Sequence, residues 1–201
     1  IKRFWEYGSW NTAAGTDALY NNTTAGRNTA FGWSALSGNT TGAYNTGLGW
    51  QAGSAHQTGN YNTAIGYNAA FSSTTIGGEF VLGNNQVANL RCQDTSISSL
   101  SDERDKTNIV DIPLGLSFLN TVRPVSFDWD ARDGSKIGKK DFGFIAQELK
   151  VAADATDYAD HMRLVSEENP DKLEADPMKM FPILVKAIQE LSAEIEILKA
   201  K

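Results

Sequence analysis

Along the first ninety residues, apolar and polar positions recur at a spacing of 17, far from the 3.6 of an amphipathic helix. Asn-Thr-Ala-Ala-Gly begins at Asn11, Asn-Thr-Ala-Phe-Gly at Asn28, Asn-Thr-Gly-Leu-Gly at Asn45 and Asn-Thr-Ala-Ile-Gly at Asn62. Glu-Phe-Val-Leu-Gly at Glu79 keeps the register with its polar residues lost. Thr24, Thr41, Thr58 and Thr75 follow the same period, as do Ala18, Ala35, Ala52 and Ala69. A fixed period this short predicts a solenoid, in which each unit buries its face against its neighbours. Each unit reads as a short strand alternating small and large residues, a turn at glycine, then a second short segment rich in Asn, Thr and Gly. A coil with so few Leu, Ile and Val buries little apolar area against a backbone ordering cost of roughly 1–2 kcal/mol per residue. Three chains about one axis would share a core of Ala, Ile, Leu and Phe. The repeat therefore predicts a homotrimer.

The second half has a different rhythm. Residues 113–122 (PLGLSFLNTV) predict a short helix opened by proline, and 124–130 (PVSFDWD) alternate as a strand does. Residues 131–140 read as a turn, 141–149 (DFGFIAQEL) as the start of a helix, and 161–166 (HMRLVS) as a second strand. Asp176 as N-cap and Pro177 at the first helical position open a helix running to the C-terminus. Phe181, Leu184, Ile188, Leu191, Ile195 and Leu198 step by 3 and 4 along it, with Glu, Lys and Gln between. That is a heptad seam, too narrow for the apolar stripe of a helix lying on a core. Phe181, Ile188 and Ile195 take one seam position and Leu184, Leu191 and Leu198 the other, and the seam is expected to associate with further copies of itself. The fold class expected is mixed: an N-terminal trimeric β-solenoid, then an α+β domain ending in a long coiled-coil helix.

Composition places the boundary. Of the 18 glycines, 14 fall in residues 1–90, against 6 of the 42 charged residues. The chain thus divides into a repeat region, 1–100, and an ordinary charged domain, 101–201. The net charge of −6 argues against nucleic acid as main partner, because phosphate binding needs clustered Lys and Arg. A single cysteine, Cys92, excludes an internal disulfide. No apolar run is long enough to enter a membrane as a span, and no signal peptide is visible. A chain that begins at Ile1 reads as a fragment of a longer one.

Candidate chemistry is sparse. His56 lies among the repeats and His161 in a polar stretch, and nothing local builds a Ser/His/Asp triad around either. The Asn and Thr columns carry amides and hydroxyls where calcium-binding repeats carry carboxylates, so stacked side-chain ladders are the expectation. Residues 128–134 (DWDARDG) lack the spacing and terminal Glu of a calcium loop and read as a polar turn. No phosphate loop or cysteine–histidine cluster appears, so no cofactor or metal is expected. Ser101 and Lys106 remain, at the junction itself: a lysine can serve as the base that a serine nucleophile needs. On spacing alone that pair says little.

Taken in order, LSDERDKTNI, FLNTVRPVSFDWD, GFIAQEL and the terminal KAIQELSAEIEILK resemble the C-terminal intramolecular chaperone domain of phage endosialidases, tailspikes and tail fibres. That domain is also a self-cleaving serine peptidase. The resemblance covers residues from about 97 to 201. The preceding repeats resemble the trimeric heads of bacterial adhesins and those found in phage fibres. The resemblance implies that three chaperone domains bring three fibre chains into register. Each chain then cuts itself before its motif serine. Ser101 matches that serine and Lys106 its partner, which puts the scissile bond at Leu100–Ser101. It implies a virion protein folded in the host cytoplasm, with the chaperone part released after cleavage. Its partners would be two further copies, the rest of the fibre upstream and a host-surface receptor. Asp105 departs from the family, which often has an apolar residue there; a carboxylate beside Lys106 favours its charged form. The rival expectation is an adhesin-like fragment whose repeats bind a host surface and whose second half is a trimerisation anchor that does not cleave.

Overall fold

A computed structural model of the chain describes residues 10–87, 89–93 and 98–201. Contacts divide it into two compact units, Ile1–Arg91 and Cys92–Lys201. The first unit is a β-solenoid of three-residue strands: β1 (Thr12–Ala14), β2 (Thr29–Phe31), β3 (Thr46–Leu48), β4 (Thr63–Ile65) and β5 (Phe80–Leu82). They form one parallel sheet in sequence order. Every partner lies 17 residues away, as in Thr29↔Thr46, Ala30↔Gly47 and Phe31↔Leu48. The repeat in the sequence is thus the pitch of the coil. Period-2 alternation turns the middle residue of each strand inward, where Ala30 and Ala64 are fully buried, and leaves Phe31, Leu48 and Leu82 exposed in a column outside.

The interior is thin and mostly alanine. Ala35, Ala52 and Ala69 make a second buried column, with Leu36 and the partly buried Phe71 filling the space between. Such a core forces the windings close together. Gly32 and Gly49, both at φ +130, end their strands where a Cβ would overlap the carbonyl of the next winding's glycine. Only glycine is free of both penalties there.

Polar ladders complete the wall. Asn28, Asn45 and Asn62 are fully buried. Each uses its Oδ1 to accept the main-chain N–H one winding on: Asn45 N to Asn28 at 2.8 Å, Asn62 N to Asn45 at 2.9 Å, Glu79 N to Asn62 at 2.8 Å. Each Nδ2 donates to a loop carbonyl, Gly42, Gly59 or Ile76 in turn. An amide has one acceptor and one donor end, so this column can repeat indefinitely. Glu79 ends it, because its carboxylate turns aside to accept from Ser72 N and Oγ. The ladders expected from the amide columns are therefore present. Outside, Trp33, Trp50 and Tyr67 stack at 5.0 and 4.9 Å, Tyr44 on Tyr61 at 4.8 Å, and the Arg27 guanidinium lies between the Trp10 and Tyr44 rings. Such pairs contribute roughly 0.5–1.5 kcal/mol each.

The second unit is α+β. Helix α1 (Leu116–Leu119) is followed by the antiparallel pair β6 (Val125–Asp128) and β7 (Lys140–Gly143). Then come α2 (Ala146–Asp154), α3 (Ala159–Met162) and the small pair β8 (Val165–Ser166) and β9 (Glu174–Ala175). A 3-10 turn, Pro177–Met180, runs directly into α4 (Phe181–Lys199). The core is Phe118, Leu149, Ala153, Met162, Leu164, Met180 and Ile183.

Three expectations change in detail. The helix expected from Asp141 starts at Ala146; residues 141–143 are strand, because Phe142 pairs with Ser126 and Gly143 with Val125. The strand expected over 161–166 shrinks to Val165–Ser166, since His161 and Met162 finish α3 and Arg163 ends it at φ +42. Pro113 does not open α1. Leu116 N donates instead to Glu190 Oε2 of α4 at 2.8 Å, and a Cβ on Gly115 would overlap that carboxylate. The C-terminal helix forms as expected, with Asp176 Oδ1 accepting from Met178 N at 3.2 Å. It buries Ile183 and Ala187 against its own chain, while Phe181, Leu184, Ile188, Leu191, Ile195 and Leu198 stay exposed.

Candidate active site

The site begins with a stretch of chain that touches little. Leu100 is 94% exposed, and Ser101 and Lys106 are exposed as well. Asp102 then caps a single 3-10 turn, Glu103–Asp105, by accepting from Arg104 N at 2.9 Å. Its carboxylate also takes the Arg104 guanidinium in a fork, Nε to Oδ1 at 3.0 Å and Nη2 to Oδ2 at 2.6 Å. Asp and Asn favour this role because a short side-chain acceptor can reach the N–H two residues on. The paired Arg104 holds the Asp102 carboxyl below the usual carboxylate range, and the Arg104 pKa is raised in return.

Two main-chain bonds close the turn, Asp105 N to Asp102 O and Lys106 N to Glu103 O. The chain thereby reverses, and Lys106 Nζ donates to Ser101 Oγ at 2.7 Å and to Ser101 O at 3.0 Å. The two residues singled out at the junction are therefore in direct contact. Asp105 makes no ion pair with Lys106, and the Asp102 carboxylate is engaged by Arg104.

Nothing else among the described residues competes as a reactive centre. His56 is buried among the repeats with Nε2 2.8 Å from Gly59 O and its ring edge-on to Phe71. It occupies the column of Asn22 and Asn39 and is structural. His161 lies against Tyr158 in α3. Asp133 closes a turn by accepting from Ser135 N and Oγ. Among the described residues, no group of three His, Cys, Asp or Glu side chains could hold a metal ion, and no helix is long and apolar enough to cross a membrane. A recess walled by Leu114, Phe118, Val151 and Ala152 contains neither Ser101 nor Lys106, and its lining carries no nucleophile paired with a base.

Residues 101–160 match the model of a peptidase family described as the chaperone of endosialidase, so this segment is similar to a domain of that kind. The match begins at Ser101 itself. No curated protein and no solved structure matches the chain.

Proposed function

We propose that this chain is the C-terminal part of a bacteriophage tail fibre or tailspike, in which residues 101–201 assemble and fold the repeat fibre and then free themselves by cutting Leu100–Ser101. One observation carries the reading: a serine with a lysine amine 2.7 Å from its hydroxyl stands at the first residue of a segment matching the endosialidase chaperone. Ser101 Oγ attacks the carbonyl carbon of Leu100, its own preceding residue, and no substrate has to diffuse in. Lys106 takes the hydroxyl proton as the base. The Leu100–Ser101 C–N bond then breaks, Lys106 returns the proton to the Ser101 nitrogen, and the acyl group is left as an ester on Ser101 Oγ. Water hydrolyses the ester to the Leu100 carboxylate and restores the serine hydroxyl. Each chain turns over once. The exposure of Leu100 leaves its carbonyl open to water for that last step.

The assembled form in this reading is a homotrimer. Its support is a pair of apolar features exposed in the single chain: the α4 seam from Phe181 to Leu198, and the outer column Phe31, Leu48 and Leu82. Three seams wound together would cover the first.

A denaturing gel of the expressed chain tests the cut. Two products of roughly half the 21.8 kDa chain are expected, the C-terminal one beginning SDERDK. Ser101→Ala and Lys106→Ala should leave one band. Hydroxylamine should hasten release by intercepting the ester and leave a hydroxamate on Leu100. A single parental band, or a cut at another bond, would favour a non-cleaving trimerisation anchor.

A further inference from the structure

We infer that the Asp102–Arg104 pair is a positioning element for cleavage, folding residues 101–106 into the turn that brings Lys106 back onto Ser101. The inference rests on the roles proposed above for those two residues. Five residues of extended chain span roughly 17 Å, well beyond the reach of a lysine side chain. A turn is therefore obligatory. The turn that does form is one 3-10 winding with two main-chain bonds and no buried residue, so no core packing holds it. Isolated windings of this length are marginal in water. Glu103 and Asp105 add two like charges within it. Ser101 and Lys106 are both exposed, so packing does not fix their meeting either. What braces the winding is the Asp102 carboxylate, which satisfies Arg104 N as a cap and locks the Arg104 side chain as a fork. Asp102 and Arg104 touch neither Ser101 Oγ nor the Leu100 carbonyl. They act through Lys106.

The test uses the full chain. Cleavage is followed as a first-order rate per assembled chain, with assembly checked by light scattering, across pH. Asp102→Ala should slow cleavage about tenfold, the scale of a lost cap together with its ion pair. The loss should be the same factor at every pH, with the midpoint of the profile unmoved. Asp102→Asn retains an acceptor for Arg104 N and should recover part of the rate. Arg104→Ala should fall between, and the double Ala variant should be no slower than Asp102→Ala alone, since the pair acts as one unit. A second readout stands apart from cleavage. In the uncut Ser101→Ala background, an NOE between the Lys106 ε-methylene and the β protons of position 101 should vanish with Asp102→Ala and persist with Asp102→Asn. If the parent is not cut yet this NOE behaves as stated, the positioning inference holds and the peptidase reading fails. An unchanged rate, additive losses, a moved midpoint, or an NOE indifferent to Asp102 overturns the positioning role.

Discussion

Asn45→Ala puts the amide ladder to a quantitative trial. Asn45 is fully buried; its Nδ2 donates to Gly59 O at 2.9 Å and its Oδ1 accepts from Asn62 N at 2.9 Å. Oδ1 also accepts from Asn62 Nδ2, but that group keeps a second acceptor, Ile76 O at 2.7 Å. Truncation therefore orphans one buried main-chain group, the Asn62 N–H, because the Gly59 carbonyl keeps His56 Nε2 at 2.8 Å. At about 1–3 kcal/mol for an unsatisfied buried group, the loss is about 1–3 kcal/mol. Asn11→Ala removes the equivalent amide at the first described winding, where the side chain is only partly buried, and should cost about 1 kcal/mol. Four of the five tryptophans lie in residues 1–91, so fluorescence during denaturant unfolding reports mainly on the solenoid. An Asn45→Ala chain within about 0.5 kcal/mol of its parent would mean that water replaces the ladder and that the repeated asparagine is not what holds the windings.

Gly115→Ala should displace the Glu190 carboxylate from the start of α1 and cost about 1–2 kcal/mol; Glu190→Ala should cost about the same, and the two together no more, by urea denaturation followed at Trp129. Arg123 holds the Glu148 carboxyl below its usual range, so their exposed pair contributes stability above the ordinary carboxylate range and loses it as pH falls through the lowered value. Arg123→Ala should accordingly flatten the acid limb of the stability curve, and an unchanged limb would remove the pair from the account. Leu184→Asp or Leu191→Asp puts a carboxylate into the proposed three-helix seam, repeated threefold, and should abolish both trimers and cleavage; an intact trimer in light scattering with normal cleavage would uncouple the two. Residues 1–100 released by cleavage should resist denaturant but fail to refold, whereas Ser101→Ala chains should recover in part, and equal yields by gel filtration would make the second half an anchor and not a chaperone.

The solenoid was legible because a period of 17 is a property of one line of sequence, and every sheet partner lies one period away. The same period contained the Trp33, Trp50 and Tyr67 stack, which a search of every column for aromatics would have found. The second unit was legible only where its cues are local, as at Asp176 and along α4. Strand β7 was hidden because DFGF suits helix or strand equally, although the turn at 131–140 that joins it to β6 was readable. Helix α1 was misplaced because its first N–H is met by Glu190, 74 residues on. At the junction the spacing of Ser101 and Lys106 did not itself say that they meet. Asp102 followed two residues later by Arg104 is a readable Asx-turn signal, and it is the feature that turns a common spacing into a contact.

The solenoid's regularity also limits what it can specify. Copies associating along the outer face would meet nearly the same Thr, Ala and large apolar columns after a slip of 17 residues, so adjacent registers differ little in energy. Within one chain the loop lengths forbid such a slip; between chains nothing in the columns does. Only the irregular positions break the degeneracy: Arg27 among aromatics, His56 in an asparagine column, Glu79 where the amide ladder stops. Each of these interrupts a single winding. A register that must be right before the windings close has to come from a part of the chain that does not repeat, and the 92–201 unit, with its non-repeating core and its 3-and-4 seam, has that property. In the proposed fibre, that information has been used once the windings have closed. Under the proposed function, a cut at Leu100–Ser101 would then remove the register-setting element without loosening the solenoid, and a single-turnover reaction is sufficient chemistry for that task.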